Sequence, residues 1–168
     1  MRYLLNASGI AAAIAFAASM PGAVAQEISK SICQLVGGSG ALEPLGDREG
    51  HAIEVATETC RVEGGAMDGG LVTGQSIWEW DKTNAKMLSI AGVVRKPGAT
   101  VAYEITEGKL ALTIADGKVT GFTASGKGRW SMAAGSAASM AGKTFTYKAR
   151  PTGAGQWETE VTADVAAQ

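Results

Sequence analysis

The sequence predicts an all-β domain: an antiparallel up-and-down meander of about 8 strands, most simply closed into a small β-barrel. Three observations predict it. From His51 onward, apolar residues recur mainly at every second position, the period of a half-buried strand, in runs separated by short turns rich in Gly, Pro, Asp and Asn. No long helical pattern interrupts these runs. Glycine is abundant, 23 in the chain, and falls inside strands at Gly74, Gly92, Gly121 and Gly126, where barrel closure needs bends. A meander left open would expose two edges, so closure is the simplest solution and a sandwich is the alternative.

Residues 1–25 read as a secretory signal peptide. Arg2 supplies the positive start, Leu4 to Ala18 is almost wholly apolar, Pro21-Gly22 breaks a helix, and Ala23-Val24-Ala25 is an A-x-A cleavage site. The apolar run is shorter than the ~20 residues a membrane span requires, and no other run is longer. The predicted mature chain, Gln26 to Gln168, is the size of one domain, and its localisation is periplasmic or secreted. Two cysteines in an exported chain predict one disulfide, Cys33–Cys60.

Glu27 to Val36 is a short helix or a strand: Ile28, Ile32, Leu35 and Val36 recur at helical spacing, and a strand from Ile32 to Val36 fits nearly as well. Gly37 to Gly50 reads as a loop. His51 to Val62 is a strand whose apolar phase changes between Ile53/Val55 and Cys60/Val62, predicting a bulge near Thr57 to Thr59. Leu71 to Trp80 is the next strand, with Val72, Ser76, Trp78 and Trp80 on one side. After a turn at Asp81 to Asn84, Lys86 to Arg95 alternates at Leu88, Ile90 and Val94, and Pro97-Gly98 turns the chain. Val101, Tyr103 and Ile105 form a strand that Glu107-Gly108 separates from Leu110, Leu112 and Ile114. Asp116-Gly117 predicts a type I′ hairpin returning through Val119 to Ser125. Gly126-Lys127-Gly128 opens a further strand, Arg129 to Ala133. A small-residue loop or helical turn from Ala134 to Ala141 precedes Lys143 to Ala149, and Trp157, Thr159, Val161, Ala163 and Val165 alternate to the end.

The chain carries a formal net charge of −1 at pH 7, which suggests no nucleic-acid partner. Charge is uneven along it, acidic up to Asp81 and basic from Lys82 onward. Either the halves mix their charges on one surface, or Lys127, Arg129, Lys143, Lys148 and Arg150 form a basic face for an anionic ligand.

Signals for catalysis are weak. His51 is the single histidine and reads as an exposed or minor packing residue at a strand start; no nucleophile relay is visible around it. One histidine and two cysteines in disulfide range exclude a zinc site, and a lone Asp68-Gly69-Gly70 is a poor calcium signature, so no metal and no cofactor is predicted. Glu54 and Glu58 share one face if no bulge intervenes and read as solvated strand residues. Trp78 and Trp80, two residues apart, point the same way. With Tyr103, Trp130 and Trp157 they either fill a core or line an apolar cavity, and these five are the candidate ligand-binding residues.

Thr123 to Tyr147, TASGKGRWSMAAGSAASMAGKTFTY, resembles the later strands of the allene oxide cyclase-like and dirigent-like barrels: Gly126, Gly128 and Trp130 match a G-x-G-x-aromatic strand, and Ala141-Gly142 a following turn. Ala134-Gly135-Ser136-Ala137 stands where that group has a Gly-Gly-Thr-Gly loop. The resemblance covers about 25 residues. It implies an eight-stranded barrel with an apolar cavity, often oligomeric, and places no catalytic residue.

Three functions are compatible with these features. The first is an exported barrel without enzymatic activity that binds a small hydrophobic ligand. The second is a barrel-type isomerase or cyclase using a carboxylate such as Glu79 or Glu104. The third is an envelope protein-binding or inhibitor module, which would have a filled core.

Overall fold

A computed structural model describes residues 25–37, 39–153 and 155–165; the predicted leader lies outside the described residues apart from Ala25. The strands are β1 (Ala25–Leu35), β2 (Leu42–Pro44), β3 (His51–Glu63), β4 (Leu71–Asp81), β5 (Asn84–Lys96), β6 (Ala99–Ala115), β7 (Lys118–Gly135), β8 (Thr144–Gly153) and β9 (Gln156–Val165), with one 3-10 turn at Ala138–Met140. Each of β3 to β8 pairs antiparallel with the next, β9 pairs with β1, and β1 pairs with β3. Eight strands thus close a barrel, as the count of hairpins predicts, and closure through the β1–β3 pairing replaces the sandwich alternative.

The seam is the β1–β3 pairing. β1 occupies the edge of β3 from Glu58 to Glu63, and the additional strand β2 takes over from Ala52 to Glu54. Cys33 and Cys60 face each other directly across this seam and form the expected disulfide, both nearly inaccessible. Turn chemistry behaves as its residues dictate. Asp116 and Gly117 both take positive φ, 51° and 71°, as a type I′ turn requires.

Several local expectations change. Of the two readings left open for the N-terminal segment the strand holds, with Ser31 and Cys33 buried and Ile28 exposed outside; ten ladder pairs to β9 outweigh the apolar spacing that suggested a helix. β2 lies inside the stretch expected to be loop. The two strands predicted on either side of Glu107-Gly108 are one, β6, and the two predicted on either side of Gly126 are also one, β7. A bulge at Thr106 replaces the expected break and shifts the inward set from Val101, Tyr103 and Ile105 to Gly108, Leu110 and Leu112. A register shift opposite Ile77/Trp78 leaves Leu88 outside, where alternation with Ile90 had placed it inward.

β3 has no bulge: its register with β4 runs unbroken from His51↔Asp81 to Arg61↔Leu71. Its apparent phase change arises because Ile53 and Val55 point outward while Ala52, Glu54, Ala56, Glu58, Cys60 and Val62 point inward. Two carboxylates on the inner face broke the apolar pattern.

Packing differs between the two ends. Where the β3–β4, β5–β6 and β7–β8 connections lie, Val62, Met67, Val94, Val101, Trp130, Ala137 and Phe145 form a dense cluster, with Val101 and Ala137 at 0% exposure. At the opposite end the β6–β7 hairpin projects beyond its neighbours, since β5 pairs no further than Ala111 and β8 no further than Ala124.

Candidate ligand-binding cavity

Inside the barrel lies a cavity of about 620 Å³. It runs from Met67 and Lys143 near the packed end to Val119, Gly121 and Gln156 on the hairpins of the other. All five sequence candidates, Trp78, Trp80, Tyr103, Trp130 and Trp157, line it. Phe122 from β7 and Phe145 and Tyr147 from β8 complete the aromatic wall, three rings outside the candidates taken from the sequence. The alternation of Phe145 and Tyr147 with Thr146 was the available signal.

The large rings fit because glycines yield them space. Tyr103 lies across the paired Gly92 and Gly74; a Cβ on Gly74 would stand 2.5 Å from the Tyr103 hydroxyl, and one on Gly92 would stand 2.7 Å from its Cε1. Tyr147 lies across the paired Gly126 and Gly108 in the same way, its hydroxyl 2.8 Å from where a Gly108 Cβ would be. The strand-interior glycines expected to bend the wall thus also accept flat side chains against it. Trp130 stacks on Phe145 at a centroid distance of 4.4 Å and meets Tyr103 edge-on at 6.3 Å.

Two carboxylates open onto this apolar space. Glu54 accepts a hydrogen bond from Trp80 Nε1 at 2.7 Å, and Glu58 takes the Tyr103 hydroxyl. Burial pushes both carboxyls above the usual carboxylate range, with the single hydrogen bond to each opposing the shift. Neither reads as the solvated residue expected from sequence. Burial together with the charge of Glu58 raises both tyrosines, Tyr147 to about 12. Ser76, 4% exposed, lies on the same wall.

Two polar atoms of the wall have no partner among the described residues: Trp130 Nε1 and the Tyr147 hydroxyl, both in residues only 8% exposed. A buried donor left unpaired costs about 1–3 kcal/mol, so such groups call for an explanation.

The outer surface settles other expectations. Glu79 and Glu104, the carboxylates named for a cyclase, face outward: Glu79 bonds His51, and Glu104 pairs with Arg129. A strand alternates its faces, and these residues fall on the opposite face from Trp78, Trp80 and Tyr103. His51 is buried rather than exposed, because the 45–50 segment folds over it. Its Nδ1 meets Asp47 Oδ1 at 2.5 Å and its Nε2 meets Glu79 Oε1 at 3.0 Å. The Asp47 and Glu79 hydrogen bonds, in that order, raise the His51 pKa. Four of the five basic candidates lie beside acids: Lys127 pairs with Glu107, Arg129 with Glu104 and Arg150 with Glu158, and Lys148 sits opposite Glu160, while Lys143 lines the cavity. Asp68 accepts the Gly64 N–H at 2.7 Å as a turn residue, and no cluster of metal-ligating side chains occurs among the described residues. No helix among the described residues is long and apolar enough to cross a membrane.

Comparison with known proteins returns no matching family model, no matching curated protein and no matching solved structure.

Proposed function

We propose that this protein is an exported barrel without enzymatic activity that holds a small, largely apolar ligand in its interior. The observation that carries the proposal is the aromatic cavity of about 620 Å³ whose wall contains two buried, unpartnered polar groups, Trp130 Nε1 and the Tyr147 hydroxyl. The volume falls within the ~300–1,000 Å³ typical of small-molecule sites. Trp130 Nε1 can only donate, so a ligand with an oxygen or nitrogen acceptor on an apolar body satisfies it. The leader-like residues 1–25 and the Cys33–Cys60 disulfide support export to the periplasm or beyond. An interior this open weighs against the envelope-module alternative, which requires a filled core.

The test is titration with N-phenyl-1-naphthylamine, an uncharged apolar fluorophore. The expected result is saturable one-to-one binding with quenching of tryptophan emission. The substitution Ala56→Leu, which places a larger side chain on the cavity wall at a residue 3% exposed, is expected to abolish binding while the chain stays folded. Absence of saturable binding, or binding indifferent to Ala56→Leu in a folded protein, refutes the proposal.

A further inference from the structure

The charge inside the barrel is unbalanced. Glu27, Glu54 and Glu58 line the cavity against one basic residue, Lys143, which lies on the connection after the 3-10 turn. Glu27 is engaged at the packed end by the Ala66 N–H. Glu54 and Glu58 form no ion pair among the described residues. A carboxylate facing an apolar cavity must keep its proton or acquire a counter-charge. Glu58 lies beside Tyr103, and Trp78, Trp80 and Trp130 line the same cavity; the faces of such rings attract cations. The Tyr147 hydroxyl, buried and unpartnered within reach of the Glu58 charge, can accept an N–H.

We infer that the ligand is an organic cation: an aromatic or alicyclic body bearing a protonated amine, with the ammonium seated between the Glu58 carboxylate and the Tyr103 and Tyr147 hydroxyls. This rests on the ligand-binding reading above and narrows it. Glu54 nearer the hairpin end favours entry of the same charge, and both carboxylates disfavour fatty acids and other anions. Trp130 Nε1 then takes an acceptor on the ligand body.

Calorimetric titration with three probes that share one body tests it: 2-naphthylmethylamine, 2-naphthylmethanol and 2-naphthoate. At pH 7 the amine is expected to bind about tenfold or more tightly than the alcohol, and the acid most weakly. Between pH 4 and 7 the amine stays protonated, and the titratable groups lining the cavity are Glu27, Glu54, Glu58, Tyr103, Tyr147 and Lys143. The preference for amine over alcohol is expected to grow as pH rises through the raised Glu58 pKa and Glu58 ionises. Glu58→Gln brings the amine-to-alcohol ratio to about one, whereas Glu104→Gln on the outer wall preserves it. An amine that binds no better than the alcohol, or a preference that survives Glu58→Gln or stays flat with pH, overturns the inference while alcohol binding leaves the apolar-ligand reading standing. Failure of all three probes to bind overturns both. The wild-type pH profile decides the matter even if Glu58→Gln does not fold.

Discussion

The packing of Tyr103 over Gly74 and Gly92 yields a prediction that two neighbouring glycines should answer differently. In Gly74→Ala the new methyl would meet the Tyr103 hydroxyl at 2.5 Å, with Glu58 Oε1 next at 3.1 Å. In Gly92→Ala it would meet the same hydroxyl at 2.6 Å, but also the backbone carbonyl of Thr73 and Tyr103 Cε1, each at 2.7 Å. Overpacking of this kind costs about 1–3 kcal/mol, and each substitution should destabilise the barrel by that order. Tyr103→Phe removes only the hydroxyl. It should therefore relieve most of the clash at Gly74, leaving a Glu58 contact that a flexible carboxylate can vacate. It cannot relieve Gly92, where a ring carbon and a backbone oxygen remain. Double-mutant cycles by urea unfolding measure this: Gly74→Ala with Tyr103→Phe should show a favourable coupling of about 1 kcal/mol or more, and Gly92→Ala with Tyr103→Phe much less. Equal coupling at the two glycines, or a neutral Gly74→Ala, would refute the claim that these glycines exist to seat the ring.

Further outcomes follow from the same structure. Reduction of Cys33–Cys60, which joins residues 27 apart across the barrel seam, should lower the unfolding free energy by about 3.6 kcal/mol in the chain-entropy account; an unchanged urea midpoint would mean the seam holds without it. Glu58 has a raised folded-state pKa, so its protonated form favours the fold; stability should decline as pH rises from the unfolded carboxylate value through the folded one, and Glu58→Gln should remove that part of the slope. His51, raised by Asp47 and Glu79, stabilises the fold below the unfolded histidine value, and that contribution is lost as pH climbs through the folded pKa; an NMR titration placing His51 below about 6.5 would contradict it. Tyr147→Phe deletes an unpartnered hydroxyl and should raise the melting temperature of the empty barrel while weakening ligand binding; a lower melting temperature would show that the hydroxyl already has a partner.

Much of the barrel was legible in the chain because its signals are local. A turn such as Asp116-Gly117 needs positive φ at both positions whatever surrounds it, and the alternation in β4 and β9 follows from a side-chain period of two. The Cys33–Cys60 pairing was forced by there being two cysteines in a chain read as exported. The tryptophan pair on β4 was assigned to one face for the same period-two reason, and its partners Tyr103, Trp130 and Trp157 were found by their aromatic character alone.

What was not legible depended on residues distant in sequence. Glu107-Gly108 and Gly126 read as breaks because Gly ends strands in isolation; inside the barrel, ladders on both sides carry the chain through them and Tyr147 fills the space above. His51 became buried only when the 45–50 segment folded back and brought Asp47 to it. Most consequential was β3, where Ile53 and Val55 outside and Glu54 and Glu58 inside invert the usual rule. The sequence by itself determined most of the strands and turns, the disulfide and five rings of the aromatic wall, since each rests on backbone geometry or redox chemistry that a few adjacent residues set. Only the tertiary structure decided that the interior stays open and that two glutamates face it, because both depend on ladder register across eight strands closing at the β1–β3 seam.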